Sequence, residues 1–569
     1  MKRVIPFLDW IKSYKKSDFL GDLPAGITVG IILIPQGMAY AMIAGLPPVY
    51  GLYAAIFPQI IYAFLGTSRQ LSVGPVAMDS LLVASSLSAI AVIGTEHYIS
   101  LAIVLALLMG IIQLIMGSFR LGFLVNFLSK PVISGFTSAA AIIIAFNQIK
   151  NLLGIDVQRS NQVHELLIDV VTKLSSVHVI TLFVGAGGIV VIKLFSAYFP
   201  KIPGALVVVL VGIIAAKYFA LDTFGVSIVG DIPGGLPAFS FPAVNSDELQ
   251  QLLPIAFTLS LIAFMEAISV AKSVEVNHSY RVKPNQELIA LGCSNIIGSL
   301  FMSYPTTGGL SRTAVNEKAG AKTGIASLIA AGIIALTLLF FTSVFYYLPN
   351  AILAAIIVTA VLGLIDFKYP LRLWRNRKEE FVLLIFTFTI TLFVGISIGI
   401  ISGVVLSLLL LIYRTTKPHV AVLGNFPGTS MYKNISRFTE TIEKDDLLVV
   451  RFDSQLYFAN SNFFREKTSE LIDSKGIDLE YLIFSVEGVN FIDSSAASML
   501  RELIKEIQEK GIKIAIVNAT GPVRDILKKS GIIDVLPKKS IYVDVQTAVD
   551  FFDGKRINRY ERIVSQTNL

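Results

Sequence analysis

Residues 304–317 read YPTTGGLSRTAVNE. A proline, two hydroxyl residues and a glycine pair cannot hold a regular helix, because Pro305 lacks an N–H and glycine is a poor helix former. After Gly308-Gly309 the chain has no such breaker, and Leu310 to Glu317 can coil. The stretch therefore predicts an extended entry followed by a helix start. The start exposes unpaired backbone N–H groups at the positive end of a helix dipole. Ser311 and Arg312 fall in its first turn, where Ser311 can donate a hydrogen bond and Arg312 adds a full charge.

Both sides of this stretch are apolar, and the rest of the chain has the same character. The 569 residues are 54% hydrophobic and only 15% charged, with a mean hydropathy of +0.71. Soluble domains carry about 25% charged residues. Apolar segments stand at about 20–45, 47–65, 72–93, 99–117, 124–148, 177–196, 204–220, 252–274, 286–302, 309–317, 323–346, 349–366, 380–396 and 398–413. A bilayer crossing takes roughly 20 residues of helix, so 309–317 is too short to span alone. The predicted fold class is a polytopic α-helical membrane protein with fourteen transmembrane segments. The expected parts are an N-terminal segment 1–19, a membrane domain 20–417 and a soluble domain 418–569.

Charge gives an orientation. Residues 1–417 carry a net +8 and residues 418–569 a net −1. With the N-terminus inside, the inner loops hold Arg69, Arg120, Lys201, Arg281, Lys283, Lys318, Lys322 and the cluster Lys368, Arg372, Arg375, Arg377 and Lys378. The outer loops near 94–98, 221–251, 303–307 and 346–350 hold neither Lys nor Arg. Only 149–176, with Lys150, Arg159 and Lys173, breaks the pattern, and it looks partly amphipathic. The positive-inside rule then predicts a multi-pass cell-membrane protein with both termini cytoplasmic. No cleavable signal peptide is visible at the basic, amphipathic start. Cys293 is the single cysteine, so no intrachain disulfide is expected.

Fourteen spans divide into two sevens, about 20–230 and 252–413, and an odd-numbered repeat inserts inverted relative to its twin. Asp22-Leu23-Pro24 precedes the first predicted span and Leu252-Leu253-Pro254 the eighth. The third segment, LSVGPVAMDSLL, is interrupted at Val73-Gly74-Pro75 as the tenth is at Gly308-Gly309. Pro75 suits a first helical turn. Interrupted segments at matching places in two halves point to a transporter site. Inverted symmetry would set the two short half-helices start to start near the midplane, an anion site that needs no metal or cofactor.

Other intramembrane polar groups fit around it. In the first span Pro35 interrupts the helical ladder, and Gln36 and Tyr40 share a face. They would bind a polar ligand, or Gln36 would cover a freed carbonyl. Arg312 would line a wet cavity, or sit in a cytoplasmic loop with Lys318 and Lys322. Glu266 in the eighth span would carry a proton, help hold a sodium ion, or pair with Lys272. Asp79 in the third is a second acid of this kind, unless Arg312 neutralises it.

After Lys417-Pro418, the runs HVAVLG, LLVVRF, YLIFSV and IKIAIV read as strands, and SNFFREKTSELIDS and SSAASMLRELIKEIQEK as helices. The alternation predicts an α/β domain. Asp493 or Ser494 would cap the second of these helices. No glycine-rich phosphate loop is evident, and the membrane half has no nucleophile–base–metal set, so an enzyme is not expected.

The stretches IPQGMAYAMIAGLPPVYGLY (34–53), LGTSRQLSVGPVA (65–77) and YPTTGGLSRTAVNEKAGAKT (304–323) closely resemble the signatures of the SulP family, the sulfate permeases, kin to the animal solute-carrier anion exchangers and prestin. VNFIDSSAASMLREL (489–503) resembles the STAS domain shared with anti-sigma-factor antagonists. The resemblance implies seven-plus-seven inverted repeats, a core moving against a gate in elevator-like alternating access, and a homodimer. It implies a substrate site of Gln36, Tyr40, Val76, Leu310, Ser311 and Arg312, with Glu266 as the coupling-ion residue. TTGGLSRTAVN looks most like the proton-coupled sulfate branch. The expected function is secondary active uptake of a small inorganic anion, sulfate with protons. The alternatives are a sodium-coupled bicarbonate or dicarboxylate transporter, an anion exchanger or a passive anion channel. Ser494 or Ser495 would match the antagonists' phosphorylated serine, and the STAS domain would take a cytoplasmic protein partner. No nucleic acid is expected.

Overall fold

The structure, a computed structural model, describes residues 6–123, 129–157, 160, 162–199, 203–242, 245–537 and 540–555. Arg159, Lys201 and part of the predicted span 124–148 lie outside these residues. The chain divides into two compact units, Met1–Ser407 and Leu408–Leu569. The division falls inside the helix Ile396–Thr416. Composition changes where the backbone leaves that helix, at Pro418, whereas packing divides before it.

Each apolar stretch of the first unit contains helix. Seven described helices are long and apolar enough to cross a membrane, among them Lys16–Ile43 (α1), Glu96–Ser118, Val179–Tyr198 and Ser246–Glu275 (α3). Apolar helices of 10–17 residues include Ala77–Leu87 (α2), Gly204–Tyr218, Ile325–Phe340 and Asn350–Leu362. The tenth stretch supplies only Leu310–Lys318 (α4). The 149–176 loop folds as short helices, with Leu166 and Val170 of Val163–Thr172 packed on Ile155 and Val157. That burial explains its amphipathic pattern.

Three sequence expectations are corrected here. Pro24 and Pro254 do not precede their spans; each is the ninth residue of a longer helix, α1 or α3. Pro35 does not interrupt α1, which stays continuous from Lys16 to Ile43. Pro75 is not in a helical turn, because α2 begins at Ala77 with Val76 as its N-cap. Acidic side chains hold the starts of both long helices: Asp18 accepts from the Lys15 N–H (2.9 Å) before α1, and Glu248 from the Asn245 N–H (3.2 Å) before α3.

The motif IPQGMAYAMIAGLPPVYGLY also has a packing cause. Gly37 of α1 and Gly51 of the helix Pro48–Tyr53 bring their backbones together, and a Cβ on Gly51 would lie 1.9 Å from the Gly37 carbonyl oxygen. Only glycine permits that approach.

Two buried carboxylates tie loops to helices. Asp22 in α1 accepts from the Lys322 N–H (2.6 Å), the Thr323 N–H (2.9 Å) and the Thr323 hydroxyl (2.6 Å). Glu287, in the helix Pro284–Ser299, accepts from the Tyr62 hydroxyl (2.5 Å) and from the Thr67 N–H (2.7 Å) and hydroxyl (2.5 Å). Fully hydrogen-bonded acids of this kind fix loop geometry, since a missing partner in a dry interior costs about 1–3 kcal/mol. The segments they hold, 67–72 and 319–323, flank the two interrupted stretches.

The second unit is a six-stranded sheet with helices. Its strands are Val420–Asn425 (β3), Tyr432–Asn434 (β4), Leu447–Phe452 (β5), Tyr481–Ser485 (β6), Lys513–Val517 (β7) and Ile541–Tyr542 (β8), in the order β4-β3-β5-β6-β7-β8. The strands from β5 to β8 are parallel, and β3 pairs antiparallel with β4 and β5. All four strands read from the sequence are present. β4 and β8, too short for a hydrophobic pattern, were not legible. The helices Ser461–Lys475 and Ser494–Glu509 (α5) pack against Phe452, Phe484 and Ile514.

Candidate functional site

Two extended dipeptides, Val73–Gly74 (β1) and Thr307–Gly308 (β2), cross the middle of the first unit. They pair antiparallel, Val73 opposite Gly308 and Gly74 opposite Thr307. Each leads directly into a short helix, β1 into α2 and β2 into α4. The crossing is locked by side chains. Asn295 accepts from the Thr306 N–H (2.9 Å) and donates to the Thr306 carbonyl (3.0 Å), and the Thr307 hydroxyl donates to the Ala263 carbonyl (2.7 Å). The Ser72 N–H donates to the Thr313 hydroxyl (3.1 Å), and the Gly309 N–H to the Ser72 carbonyl (3.0 Å).

Neither short helix has a side-chain cap, since Val76 and Gly309 fill the N-cap positions. Their first N–H groups and dipoles are therefore available to an external acceptor. Arg312 is 2% exposed, which removes the reading of it as an ordinary loop residue. Its Nη1 donates to the Pro75 carbonyl (2.7 Å), so it reaches across from α4 to the entry of α2. Its Nε and Nη2 are buried without hydrogen-bond partners. The guanidinium lies over Gly309, where an added Cβ would sit 2.7 Å from Cζ.

The other predicted residues divide into two groups. Gln36, Tyr40 and Val76 are buried, with Gln36 Oε1 unpartnered. Leu310 is 48% exposed and Ser311 is exposed, unlike the enclosed cluster around Arg312. Glu266 interacts electrostatically with Arg312 and has its Oε2 buried and unpartnered. Lys272, with which it could have paired, is exposed, and no ion pair joins the two. Asp79 is fully buried and both of its carboxylate oxygens lack hydrogen-bond partners. Arg312 makes neither a hydrogen bond nor an ion pair with it, and Glu266 is an electrostatic neighbour.

Tyr304 was missed. It is fully buried, lies 3.1 Å from the Ser80 hydroxyl through its own, and interacts with Arg312, Tyr40 and Asp79. Its signal was an aromatic residue with a polar tip opening the YPTTGG stretch. In the second unit the Asp493 carboxylate accepts from the Ala496 N–H (2.8 Å) at the start of α5 and from the Phe458 N–H (2.9 Å). Capping thus accounts for Asp493, while Ser494 and Ser495 are exposed.

The chain matches known proteins along nearly its whole length. Residues 19–387 match the model of the Sulfate permease family and residues 439–548 that of the STAS domain. Sulfate transporter 4.1, chloroplastic, of Arabidopsis thaliana is 40% identical over 564 residues, covering 96% of this chain and 82% of that protein. Probable sulfate transporter 4.2 of the same plant is also 40% identical, over 96% of this chain and 83% of its own length. The solved structure of the murine Solute Carrier 26 family member A9 anion transporter, in the inward-facing state, superposes with a TM-score of 0.89 at 28% identity, over 97% of this chain and 94% of that one. The opposed interrupted segments, the apolar helices around them and the C-terminal sheet domain are thus shared architecture, and the chain is a multi-pass membrane protein that belongs to the sulfate permease family.

Proposed function

We propose that this protein is a secondary active transporter that takes up sulfate with protons. The observation that carries the reading is Arg312: a buried guanidinium with Nε and Nη2 unpartnered, in the first turn of α4. Burying a charge with donors unused costs several kcal/mol, and an anion at those donors offsets that cost. The uncapped starts of α2 and α4 add oriented N–H groups to the same place. Relatives named sulfate transporters favour a sulfur oxyanion. In this reading Arg312, Gln36, Tyr40 and Val76 surround the anion, Leu310 and Ser311 border its route, and Glu266 carries the coupling proton. Alternating access is elevator-like, in a homodimer with fourteen crossings per chain and both termini cytoplasmic at the cell membrane. The STAS domain meets a cytoplasmic partner, with Ser494 and Ser495 as its candidate modification sites.

The test is labelled sulfate uptake by the full chain in proteoliposomes, with bicarbonate, chloride and fumarate as competitors. Uptake against a gradient that a protonophore abolishes supports the reading. Sodium-dependent uptake, preference for bicarbonate or fumarate, or purely downhill flux overturns it.

A further inference from the structure

Asp79 is the third residue of α2, as Arg312 is of α4. An aspartate in a first helical turn normally turns back on the N–H groups above it and settles on the positive end of its helix. Asp79 does not: its side chain is fully buried and neither oxygen has a hydrogen-bond partner. It is withheld from its own helix start, which stays open. An isolated ionised carboxylate in such surroundings is prohibitively costly.

The groups around Asp79 do not supply a counter-charge. From α3 it faces Glu266, another acid with an unpartnered oxygen. From the segment before α4 it faces Tyr304, hydrogen-bonded to the adjacent Ser80. α1 contributes Tyr40, within the field of Arg312 and Glu266. The helices Glu96–Ser118 and Lys130–Asn147 carry acidic, basic or histidine side chains only in their first turns, Glu96 and His97 in one and Lys130 in the other, and His97 pairs with Glu248 at the start of α3. Arg312 interacts with Glu266 and is, among the described residues, the cation of the cluster.

Charge then fixes a count. Arg312 contributes one positive charge, and two helix starts contribute about half a charge each. Together they balance a dianion and nothing more. Two ionised carboxylates beside that dianion would leave two negative charges uncompensated. We propose that Asp79 is a second proton-carrying residue beside Glu266, so that each sulfate dianion moves with two protons and the step is electroneutral. This rests on the proton-coupled reading above, and adds to it the residue that carries the second proton and the stoichiometry. No bond other than the two O–H bonds forms or breaks. Each carboxylate takes a proton on the side where the anion binds and returns it on the side where the anion leaves.

The experiment is steady-state accumulation of labelled sulfate by the full-length protein in sodium-free proteoliposomes, with the membrane potential clamped at zero by potassium and valinomycin. One unit of imposed pH difference should give about 100-fold accumulation for two protons and about tenfold for one. The wild type is expected to accumulate about 100-fold, Asp79→Asn about tenfold, and Asp79→Glu, which keeps an acid, about 100-fold. An inside-negative potential should then oppose uptake by Asp79→Asn and leave the wild type unaffected. A tenfold wild type overturns the proposal while leaving Glu266 as the single carrier, and needs no variant. Equal accumulation by the wild type and Asp79→Asn also overturns it, as does an Asp79→Glu that behaves like Asp79→Asn. No response of the wild type to pH overturns the proton-coupled reading itself, and this proposal with it.

Discussion

Gln36 and Glu266 occupy the same place in two copies of one helix, each being the twenty-first residue, of α1 and of α3. The agreement extends along both helices. The ninth residue of each is a proline, and the hydroxyl four residues later, Thr28 or Thr258, donates to that proline's carbonyl at 2.7 and 2.9 Å. Asp79 and Arg312 are paired in the same way, each third in its short helix. The antiparallel crossing of β1 and β2 sets the two halves against each other. At the centre the repeats are alike in backbone and unlike in charge: glutamine against glutamate, aspartate against arginine. In the reading proposed above, that asymmetry lets one site hold both an anion and an acid.

Arg312→Gln should fold and lose anion affinity. It removes the charge and the two unpartnered donors, and a charge-assisted hydrogen bond contributes about 1.5–3 kcal/mol, or roughly 10–100-fold in affinity. Equilibrium binding of labelled sulfate to the monodisperse variant checks this. Unchanged affinity would place the anion elsewhere.

The position of Arg312 was legible because breakers and charge lie together in sequence: Pro305, Gly308 and Gly309 fix where the helix starts, and Arg312 follows within one turn. Its burial was only partly legible, since the apolar-to-glycine pattern before it favours a cavity while Lys318 and Lys322 nearby also fit a loop. Its low exposure and its hydrogen bond to the Pro75 carbonyl, 237 residues away in sequence, distinguish the two. The prolines misled for a related reason. Pro24 and Pro254 read as boundaries and Pro35 as a break within the first span, yet a long helix packed on its neighbours absorbs the loss of one backbone hydrogen bond. Tyr304 and the Glu287 cluster depend on partners more than 200 residues away in sequence, such as Tyr304 with Ser80. Residue spacing carries no trace of such contacts.

Glu287→Gln should destabilise the first unit. The carboxylate accepts hydrogen bonds from Tyr62 and Thr67, and also from the Ser68 N–H at 3.3 Å. A glutamine presents an N–H₂ to some of these donors and leaves them buried without an acceptor. The expected cost is about 3 kcal/mol. Thermal unfolding of the purified protein checks it, and an unchanged midpoint would show that the cluster contributes nothing to stability.

Asp493→Ala should cost the second unit about 1 kcal/mol for the lost cap. The Phe458 N–H loses its acceptor as well, so the effect should exceed that of a cap alone. Asp493→Asn, whose side-chain oxygen can still accept, should recover most of the loss. Chemical denaturation followed by circular dichroism measures both. Equal stability of all three proteins would mean that the carboxylate is not holding α5 in place.

Truncation before Pro418 should leave a first unit that still inserts in the membrane, because its buried core lies within its own helices. Oligomeric state or transport rate should change, since the sheet domain is then missing. Light scattering in detergent and initial sulfate uptake rates are the two readouts. A truncated chain with both unchanged would show that the STAS domain sets neither assembly nor transport rate.

Glu266→Gln tests the coupling itself. Glu266 shares its position with Gln36 by repeat, and it lies in the field of Arg312. Arg312 and the two helix starts favour an anion there, while an ionised Glu266 beside them repels it. A proton on Glu266 removes the repulsion, so proton and anion bind with positive coupling. Such coupling is typically about 1–3 kcal/mol, and it is reciprocal: sulfate must favour protonation by the factor with which protonation favours sulfate. Sulfate affinity of the wild type is therefore expected to rise as pH falls. Glutamine has the shape of the protonated acid and cannot release a proton. Glu266→Gln should bind sulfate with an affinity less dependent on pH, and should exchange sulfate for sulfate, but its accumulation per unit of pH difference should fall from about 100-fold to the roughly tenfold that Asp79 alone can drive. Binding and uptake at several pH values, with and without sodium, separate the cases. Accumulation by Glu266→Gln equal to that of the wild type would exclude Glu266 as a proton carrier. Uptake that follows sodium and ignores pH in the wild type would reassign the acid to a sodium ion.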